Sequence, residues 1–236
     1  MPGVLVSIVI PVRGDTAPLE RLLDALPPQA EVQLIVAATG DRDERWVALE
    51  ARRADVTWMW GPPGRGPQQN LGAQAAIGRW LWFVHADSRP PAAVVPALRA
   101  LDADPRALWG AFRFALDSPA WQARIWESGV ALRVRLFDLP YGDQGIFVRA
   151  EVFTRIGGFA AIPLMEDVEL VGRLKRITRG RHLTERLPTA ADRWEREGWW
   201  RRSRRNVALL ALYYVGVAPE TLARRYETVK AAAGRR

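Results

Sequence analysis

The chain has 236 residues, 49% of them hydrophobic, which is enough for one α/β domain with a substantial buried core. It contains no cysteine, and this excludes disulfides, thiolate metal sites and cysteine nucleophiles. The net charge of +8 is concentrated in residues 193–236, where eleven Lys and Arg stand against four Glu, and this indicates either an anionic partner or a solvated basic helix.

Neither a targeting segment nor a membrane-spanning segment is expected from the sequence. Residues 1–3 lack a basic region, and the apolar stretch after them is interrupted by Ser7 and Pro11, which disfavours a secretory signal. The longest later apolar run, Val207–Ala218, has 12 residues, whereas a membrane-spanning helix needs about 20. A cytoplasmic protein is therefore predicted.

Strand and helix patterns alternate through the first part of the chain. The predicted strands are Val4–Val12, Val32–Ala38, Val56–Trp60 and Trp80–Val84, and the predicted helices are Pro18–Leu26 and Glu44–Ala54. Residues 61–78 form a Gly- and Pro-rich loop that leads into a helix of small residues. This alternation predicts a parallel sheet with crossover helices on both faces.

Beyond Pro91 the alternation is less regular. A polar turn joins a strand over Tyr141–Arg149, and a loop over Pro163–Asp167 delivers two carboxylates to the start of a helix. The other predicted elements are the strands Leu108–Leu116 and His182–Leu187 and the helices Ala92–Leu101, Pro119–Phe137, Glu151–Ile156, Val168–Ile177, Trp199–Val217 and Pro219–Ala232. One domain without internal repeats is expected.

The stretch WLWFVHADS, Trp80–Ser88, is the most informative motif. Its five apolar residues predict a buried strand that ends at His85 and Asp87. Ligands bind at the carboxyl ends of strands in an α/β sheet, so Asp87 would stand at the mouth of a site. Alternatively, Asp87 and Ser88 cap the helix that follows Pro90. Both interpretations fit this stretch taken alone.

Further polar clusters fall where an α/β sheet gathers functional groups. They are the loops Arg13–Asp15 and Gly64–Gly72, the turn Gly142–Gln144, and the pair Glu166 and Asp167. No Ser–His–carboxylate set is evident, and neither GxxxxGK[ST] nor GxGxxG occurs. A hard divalent cation held by few carboxylates would leave room for a diphosphate.

Six segments, taken in order, resemble a known family. They are IVIPVRGD, GRGPQQNLGA, FVHADS, YGDQGIFVR, GGFAAIPLMEDVELVGRLKR and DRWEREGWWRR. Together they resemble the family-2 glycosyltransferases of the GT-A fold, most closely the short bacterial subgroup with HAD in place of DxD. The resemblance covers almost the whole chain. It implies an α/β fold whose central, mostly parallel, Rossmann-like sheet is flanked by helices and followed by a helical C-terminal extension.

The resemblance implies a single domain, residues 1–236, with a nucleotide-binding half (1–91), an acceptor and catalytic half (92–192) and a basic helical tail (193–236). The implied reaction is metal-assisted transfer of a sugar from a nucleotide-diphosphate-sugar to an acceptor hydroxyl, with inversion. Asp87 would bind Mg²⁺ or Mn²⁺ on the donor diphosphate.

The same resemblance makes Asp167 the general base, with Glu166 as its catalytic neighbour. The alternative for these two residues is that they are acidic decoration of a helix first turn. The helix N-terminus would favour the charged carboxylate of Asp167, while a closed site would raise its pKa.

Substrate contacts are implied at Pro11, Asp15, Arg65, Gln68, Asn70, His85, Asp143, Gln144, Arg193 and Trp194. Asp143 would contact sugar hydroxyls, Arg65 would pair with phosphate, and Arg193 with Trp194 would close over the donor. Each has a structural alternative: a plain turn for Asp143, a solvated loop position for Arg65, and packing of the tail onto the body for Trp194.

The sequence departs from the family pattern at the predicted nucleotide site. The family usually closes its second strand with an acidic residue that meets the nucleotide, but here that strand ends in Ala37 and Ala38. Contact with the base would then come from elsewhere, with Asp41 and Asp15 as candidates. His85 replaces the first Asp of DxD, and its neutral imidazole could hydrogen-bond a ribose or phosphate, or only satisfy the strand end.

The basic tail supports two interpretations. Trp199–Arg205 and the apolar Val207–Val217 place aromatic and guanidinium groups beside an apolar face, which suits a helix at the inner membrane face, close to a lipid-linked acceptor. Alternatively, the apolar face packs on the sheet domain and the arginines face water.

Two rival functions are considered. A sugar-phosphate nucleotidylyltransferase also uses an α/β nucleotide fold, but the lack of a GxGxR-type loop after the first strand disfavours it. A nucleic-acid-binding protein could use the Arg- and Trp-rich tail, but this function would leave the motifs in the rest of the chain without a role. Nucleic acid is therefore not the expected partner.

Overall fold

The computed structural model describes the backbone of residues 3–233 and the side chains of residues 3–227. Its strands are β1 (Val6–Arg13), β2 (Val32–Thr39), β3 (Val56–Trp60), β4 (Trp80–Phe83), β5 (Trp109–Asp117), β6 (Phe147–Arg149) and β7 (Arg181–Ala190). They form one sheet in the order β3-β2-β1-β4-β6-β5-β7. Neighbouring strands are parallel, except that β6 runs antiparallel to both β4 and β5. The predicted mostly parallel sheet is confirmed.

The helices are α1 (Ala17–Asp24), α2 (Glu44–Arg52), α3 (Arg65–Gln74), α4 (Val94–Asp102), α5 (Trp121–Phe137), α6 (Ala150–Arg155), α7 (Glu166–Lys175), α8 (Asp192–Glu197), α9 (Trp199–Tyr214) and α10 (Pro219–Ala233). Most match the predicted helices to within a few residues. The short helix α8 has no counterpart among the predicted helices.

Strand β4 is buried because both of its faces meet a hydrophobic core. Trp80 and Trp82 lie in a core that also contains apolar side chains of α1, α2 and α4. Leu81 and Phe83 lie in a second core with side chains of α6 and α7. A continuous apolar run, rather than an alternating one, is the pattern expected of a parallel strand covered on both sides.

Helix α3 begins earlier than the sequence indicates. Its first residue is Arg65, so Arg65, Gln68 and Asn70 lie on a helix and the expectation that they lie in a loop is wrong. Gly72 explains how close α3 lies to the sheet, because a Cβ atom at this position would be 2.5 Å from Val9 Cγ1. The Gly and Pro residues that suggested a loop therefore permit close packing.

The interpretation of Asp87 and Ser88 as helix caps is also wrong. Helix α4 follows Ala93 and has no side-chain cap. The segment after β4 instead crosses toward β7, where Ser88 pairs with Thr189 and the amide of Ala190 donates to the carbonyl of Asp87 at 3.2 Å.

The C-terminal helices fit neither interpretation of the tail fully. Leu209 packs inward, yet Val207 and Tyr214 are more than half exposed. Arg202 is buried and Arg205 is mostly buried, and both pair with Glu197. Part of the basic charge is therefore neutralised inside the protein. Among the described residues, no helix combines the length and the apolar character required to cross a bilayer.

Two glycines give a test of the sheet packing. A Cβ atom on Gly110 of β5 would lie 1.8 Å from the carbonyl oxygen of Arg181 and 2.5 Å from Phe147 Cζ. We expect Gly110→Ala to lower the free energy of unfolding by about 3 kcal/mol or more, since the backbone of β7 must move. Urea unfolding followed by circular dichroism measures this change.

Gly129 in α5 is the matched control. A Cβ atom there has no neighbour within 4 Å, so Gly129→Ala should stabilise the protein by about 0.5–1 kcal/mol through helix propensity. Equal effects of the two substitutions would contradict the β5–β7 packing.

Candidate active site

The reversed direction of β6 brings distant segments together at the carboxyl edge of the sheet. Because β6 is antiparallel to β4, its first residue Phe147 pairs with Trp82 near the end of β4. The short 3₁₀ turn Gly142–Gln144 comes just before β6 and therefore lies beside His85 and Asp87. The first turn of α7 completes the group.

Gly142 is the contact point of this group. Its amide donates a hydrogen bond of 2.7 Å to Asp167 Oδ2. A Cβ atom on Gly142 would lie 3.1 Å from that oxygen and 3.3 Å from His85 Nε2. The absence of a side chain at Gly142 thus allows the imidazole and the carboxylate to approach the same turn. Asp167 Oδ1 accepts from the amide of Val168 at 2.8 Å, so the start of α7 holds the carboxylate in place.

Three buried polar atoms at this edge have no hydrogen-bond partner among the described residues: His85 Nε2, Tyr141 Oη and Asp143 Oδ1. An unpartnered buried polar atom costs stability, and most such atoms in proteins are paired. These three atoms lie around one glycine turn and are available to a polar ligand.

Burial shifts the pKa values of two of these groups. Desolvation, reinforced by the charge of Asp167 and opposed by Arg133, raises the pKa of Asp143 to about 6. Desolvation, together with the positive charges of Arg65 and Arg193, lowers the pKa of His85 to about 3. The imidazole is therefore neutral near pH 7 and can accept as well as donate a hydrogen bond.

Arg65 and Glu166 form an ion pair next to the turn, with 3.4 Å between Nη1 and Oε1. The Glu166 side chain is 4% exposed, and burial with the nearby Asp167 raises its pKa. The Arg65 side chain is 49% exposed. Desolvation by itself would lower the pKa of Arg65, but the negative charges of Glu166, Asp167 and Asp87 have the larger effect, so the pKa is raised. Arg65 therefore remains charged, and about half of its side chain is exposed.

The carboxylate of Asp87 makes no hydrogen bond or ion pair with residues 3–227, although its backbone is fixed by Ala190. Within the same residues, no group of three or more His, Asp and Glu side chains is arranged to hold a metal. Asp87 fits a hard divalent cation that takes its remaining ligands from a diphosphate and water. The unpartnered His85 imidazole stands two residues away.

Several predicted substrate residues use their side chains inside the protein. Gln68 Nε2 donates to the carbonyls of Val12 and Ala37, both at 2.7 Å. Asn70 exchanges two hydrogen bonds with the backbone of Phe159. Gln144 accepts from Arg133 and donates to the carbonyl of Phe112. These contacts are structural, and direct contact of these residues with substrate stays a prediction.

The remaining predicted residues differ in how they relate to the site. Pro11 lies on β1 opposite Ala37, and the exposed Asp15 accepts from the amide of Ala17 at the start of α1. Arg193 is exposed and close enough to lower the pKa of His85. Trp194 packs against a small core that contains Phe114 and Leu116, and Arg202 stacks 4.5 Å from its ring centre.

Sequence reasoning missed Arg133 and Tyr141. Arg133 of α5 lies 3.7 Å from the centre of the Tyr141 ring and also hydrogen-bonds Gln144 and the carbonyl of Leu139. The position of Tyr141 directly before the GDQ turn could have marked it. Arg133 carries no such signal, because only the folded chain brings α5 to this turn.

Solved structures with the same architecture include three nucleotide complexes. S. aureus TarS 1-349 in complex with UDP has a TM-score of 0.62 at 14% identity, over 79% of this chain and 60% of that one. The mannosyltransferase PcManGT from Pyrobaculum calidifontis, in complex with GDP-Man and Mn²⁺, has a TM-score of 0.62 at 18% identity, over 91% of this chain and 66% of that one. Glucosyl-3-phosphoglycerate synthase from Mycobacterium tuberculosis, in complex with Mn²⁺, UDP and phosphoglyceric acid, has a TM-score of 0.56 at 18% identity, over 78% of this chain and 69% of that one.

The chain has a GT-A fold. At these identities the likeness concerns the fold alone, and the chain spans about 60–62% of the TarS 1-349 structures. No family model and no curated protein matches the sequence. The GT-A architecture nevertheless places Asp87, Gly142 and Asp167 at the edge of the sheet where α/β proteins bind their ligands.

The raised pKa of Asp143 predicts a pH-dependent stability difference. A carboxyl whose pKa is higher in the folded state than its ordinary value of 3.8 favours folding at low pH, and this contribution is lost as the pH rises through about 6. Asp143→Asn does not titrate, so the melting temperature of the wild type minus that of the variant should fall between about pH 4 and pH 7.

Thermal unfolding of both proteins in a buffer series measures this difference. Asp24→Asn, the same substitution at an exposed position at the end of α1, is the control. A flat difference for Asp143→Asn would show that its carboxyl is not desolvated.

Proposed function

We propose that the protein transfers a sugar from a nucleotide-diphosphate-sugar to an acceptor hydroxyl, with the help of a divalent metal and with inversion at the anomeric carbon. The observation that carries this proposal is the group formed by the unpaired carboxylate of Asp87, the unpartnered His85 and Asp143, and the held carboxylate of Asp167 around Gly142. The group lies at the carboxyl edge of a GT-A sheet.

The donor side consists of Asp87 and Arg65. Asp87 would hold Mg²⁺ or Mn²⁺ against the diphosphate, where the cation neutralises charge on the departing nucleoside diphosphate. Arg65 is half exposed and charged, so it can pair with a phosphate oxygen while Glu166 holds its other side. Structures of similar fold contain UDP or GDP-Man, two of them with Mn²⁺, and this supports a nucleotide-sugar donor.

The acceptor side consists of Asp167, Asp143, Tyr141 and His85. Asp167 accepts hydrogen bonds from the amide of Gly142 in the turn and from the amide of Val168 at the start of α7, and these bonds orient its carboxylate for the role of general base. The free polar atoms of Asp143, Tyr141 and His85 would receive the hydroxyl groups of the acceptor.

The reaction is a single displacement. The acceptor oxygen forms a bond to the anomeric carbon as the bond from that carbon to the diphosphate oxygen breaks, and the acceptor proton passes to Asp167. One displacement inverts the configuration at the anomeric carbon. The residues contribute by holding both partners in line, which lowers the entropic part of the barrier.

Donor binding should depend on metal and on Asp87. A panel of UDP- and GDP-sugars is tested by thermal shift with Mn²⁺ and with EDTA. With saturating ligand, at least one should raise the melting temperature by roughly 5–10 °C, and only with Mn²⁺. Asp87→Ala should abolish the shift, while the exposed control Asp24→Ala keeps it. If the ligand stabilises the protein equally with EDTA and with Mn²⁺, donor binding does not depend on a metal.

Asp167→Asn separates binding from chemistry. The amide keeps an oxygen that can accept from Gly142 but cannot take up the acceptor proton. We expect the metal-dependent thermal shift to persist while kcat falls by roughly 10²–10⁴. Release of nucleoside diphosphate in the presence of an acceptor mixture measures turnover. An Asp167→Asn protein with wild-type kcat would assign the base to another residue.

A further inference from the structure

We propose that the outer face of α5 is a docking surface for an anionic lipid bilayer and that it presents the acceptor side of the site to the membrane. This inference rests on the proposed function for its biological meaning, since a lipid-anchored acceptor would then meet the site at the bilayer surface. The surface itself is defined by exposed side chains that the proposed reaction does not use.

Helix α5 carries a stripe of large apolar side chains on its solvent side. Trp121, Ile125, Leu132 and Leu136 are spaced by four and seven residues, so they follow one face of the helix. They are 62%, 44%, 55% and 61% exposed, and Phe137 at the end of the helix is 58% exposed. We call these five residues the α5 surface. Two or more of these residues are exposed at each end of the helix, with the exposed Ser128 between them, in contrast to the single exposed apolar residues that soluble proteins usually carry.

Cations border the C-terminal end of the α5 surface. Arg135 is exposed on α5, and Lys175 and Arg179 donate to the carbonyls of Phe137 and Arg135 respectively. Arg176 is exposed beside them, next to Ile177, which is 43% exposed. Basic side chains beside Trp, Leu and Phe are the composition of helices that lie in an anionic membrane interface.

No exposed carboxylate opposes this charge on α5. The only acidic residue of the helix, Glu127, is 8% exposed and pairs with Arg124 and Arg186. The nearby Asp138 is buried as well and contacts His182. At the N-terminal end, Ser118 hydrogen-bonds the exposed Glu195, so the complementarity to anionic lipid lies at the cationic C-terminal end of the α5 surface. A second copy packed face to face would instead bring like charges together.

The α5 surface is directly connected to the acceptor side. From the flank of the helix next to Leu132, Arg133 stacks on Tyr141 and hydrogen-bonds Gln144. The chain passes from the end of α5 at Phe137 to the turn at Gly142 in five residues. A bilayer against α5 would therefore lie close to the turn that carries Asp143. This location differs from the membrane contact through residues 199–217 that is one of the two sequence interpretations of the tail.

The test is sedimentation with vesicles, without any nucleotide. The probes are vesicles of phosphatidylglycerol and phosphatidylcholine in equal parts and vesicles of phosphatidylcholine alone, at low and high salt. The variant Leu132→Glu/Leu136→Glu changes the centre of the surface. Val47→Glu/Ile77→Glu is the matched control, because it adds the same charge at residues that are 50% and 71% exposed elsewhere. Trp121→Ser/Phe137→Ser is a second variant without charge change.

We expect the wild type and the control to bind the anionic vesicles, less at high salt, and both α5 variants to lose about tenfold or more in partition coefficient. Equal binding by all proteins, equal loss in the control, or no binding by the wild type at low salt would overturn the proposal. Light scattering without vesicles identifies the competing occupant: a dimer that the α5 variants abolish would make the surface an interface between copies of the chain.

The same preparations are examined for the thermal shift with UDP- and GDP-sugars and Mn²⁺. An α5 variant that keeps this shift is folded and retains the donor site, so its loss of vesicle binding is specific. If the wild type shows no such shift but binds vesicles as described, the proposed function fails while the docking surface stands.

Discussion

The hydrogen bond from the amide of Gly142 to Asp167 fixes the relation between the two halves of the site. The two residues belong to different segments, the turn before β6 and the first turn of α7, and neither segment alone forms a pocket. The bond is possible because β6 is antiparallel and returns the chain to the carboxyl end of β4. A Cβ atom at position 142 would be in tight contact with both side chains, at 3.1 Å from Asp167 Oδ2 and 3.3 Å from His85 Nε2. The location of the site thus follows from strand direction and from one glycine.

The electrostatics of the site are dominated by negative charge that the protein does not fully balance. Asp87, Asp143, Glu166 and Asp167 gather at this edge, and the raised pKa values of Asp143 and Glu166 show that desolvation and mutual repulsion outweigh the nearby guanidinium groups. A bound divalent cation would relieve this imbalance. Under the proposed function, the exposed portion of the Arg65 side chain would offset the charge of a diphosphate.

Much of the fold could be predicted because its determinants are local. The apolar runs of β1, β2 and β4 and the alternation with helices specify a doubly covered parallel sheet. The start of α3 could not be predicted, since Gly and Pro indicate a loop unless packing against the sheet selects a helix. Strand β7 is longer than predicted because its polar residues are held by pairing with β5 rather than by their own pattern.

The site was predictable only in part, for a similar reason. Asp87, Asp143 and Asp167 stand at strand ends, turns and helix starts, which sequence patterns identify. Whether a polar side chain is free to meet a ligand depends on contacts that the patterns do not contain. Trp194 illustrates this, since its ring packs against the Phe114 core and under Arg202.

The end of β2 shows how far the site can be specific for a nucleotide. Ala37 and Ala38 are fully buried, and the carbonyl of Ala37 is occupied by Gln68, whose amide also binds Val12 and so joins β1, β2 and α3. This strand end therefore offers no side-chain carboxylate to a ribose or a base. Under the proposed function, with that contact absent, the free energy of donor binding would come mainly from the diphosphate, through Asp87 with a bound metal and through Arg65. Charge–charge interactions of this kind recognise a diphosphate strongly but distinguish one base from another weakly. Under the proposed function, discrimination between donors would then have to arise at the donor sugar.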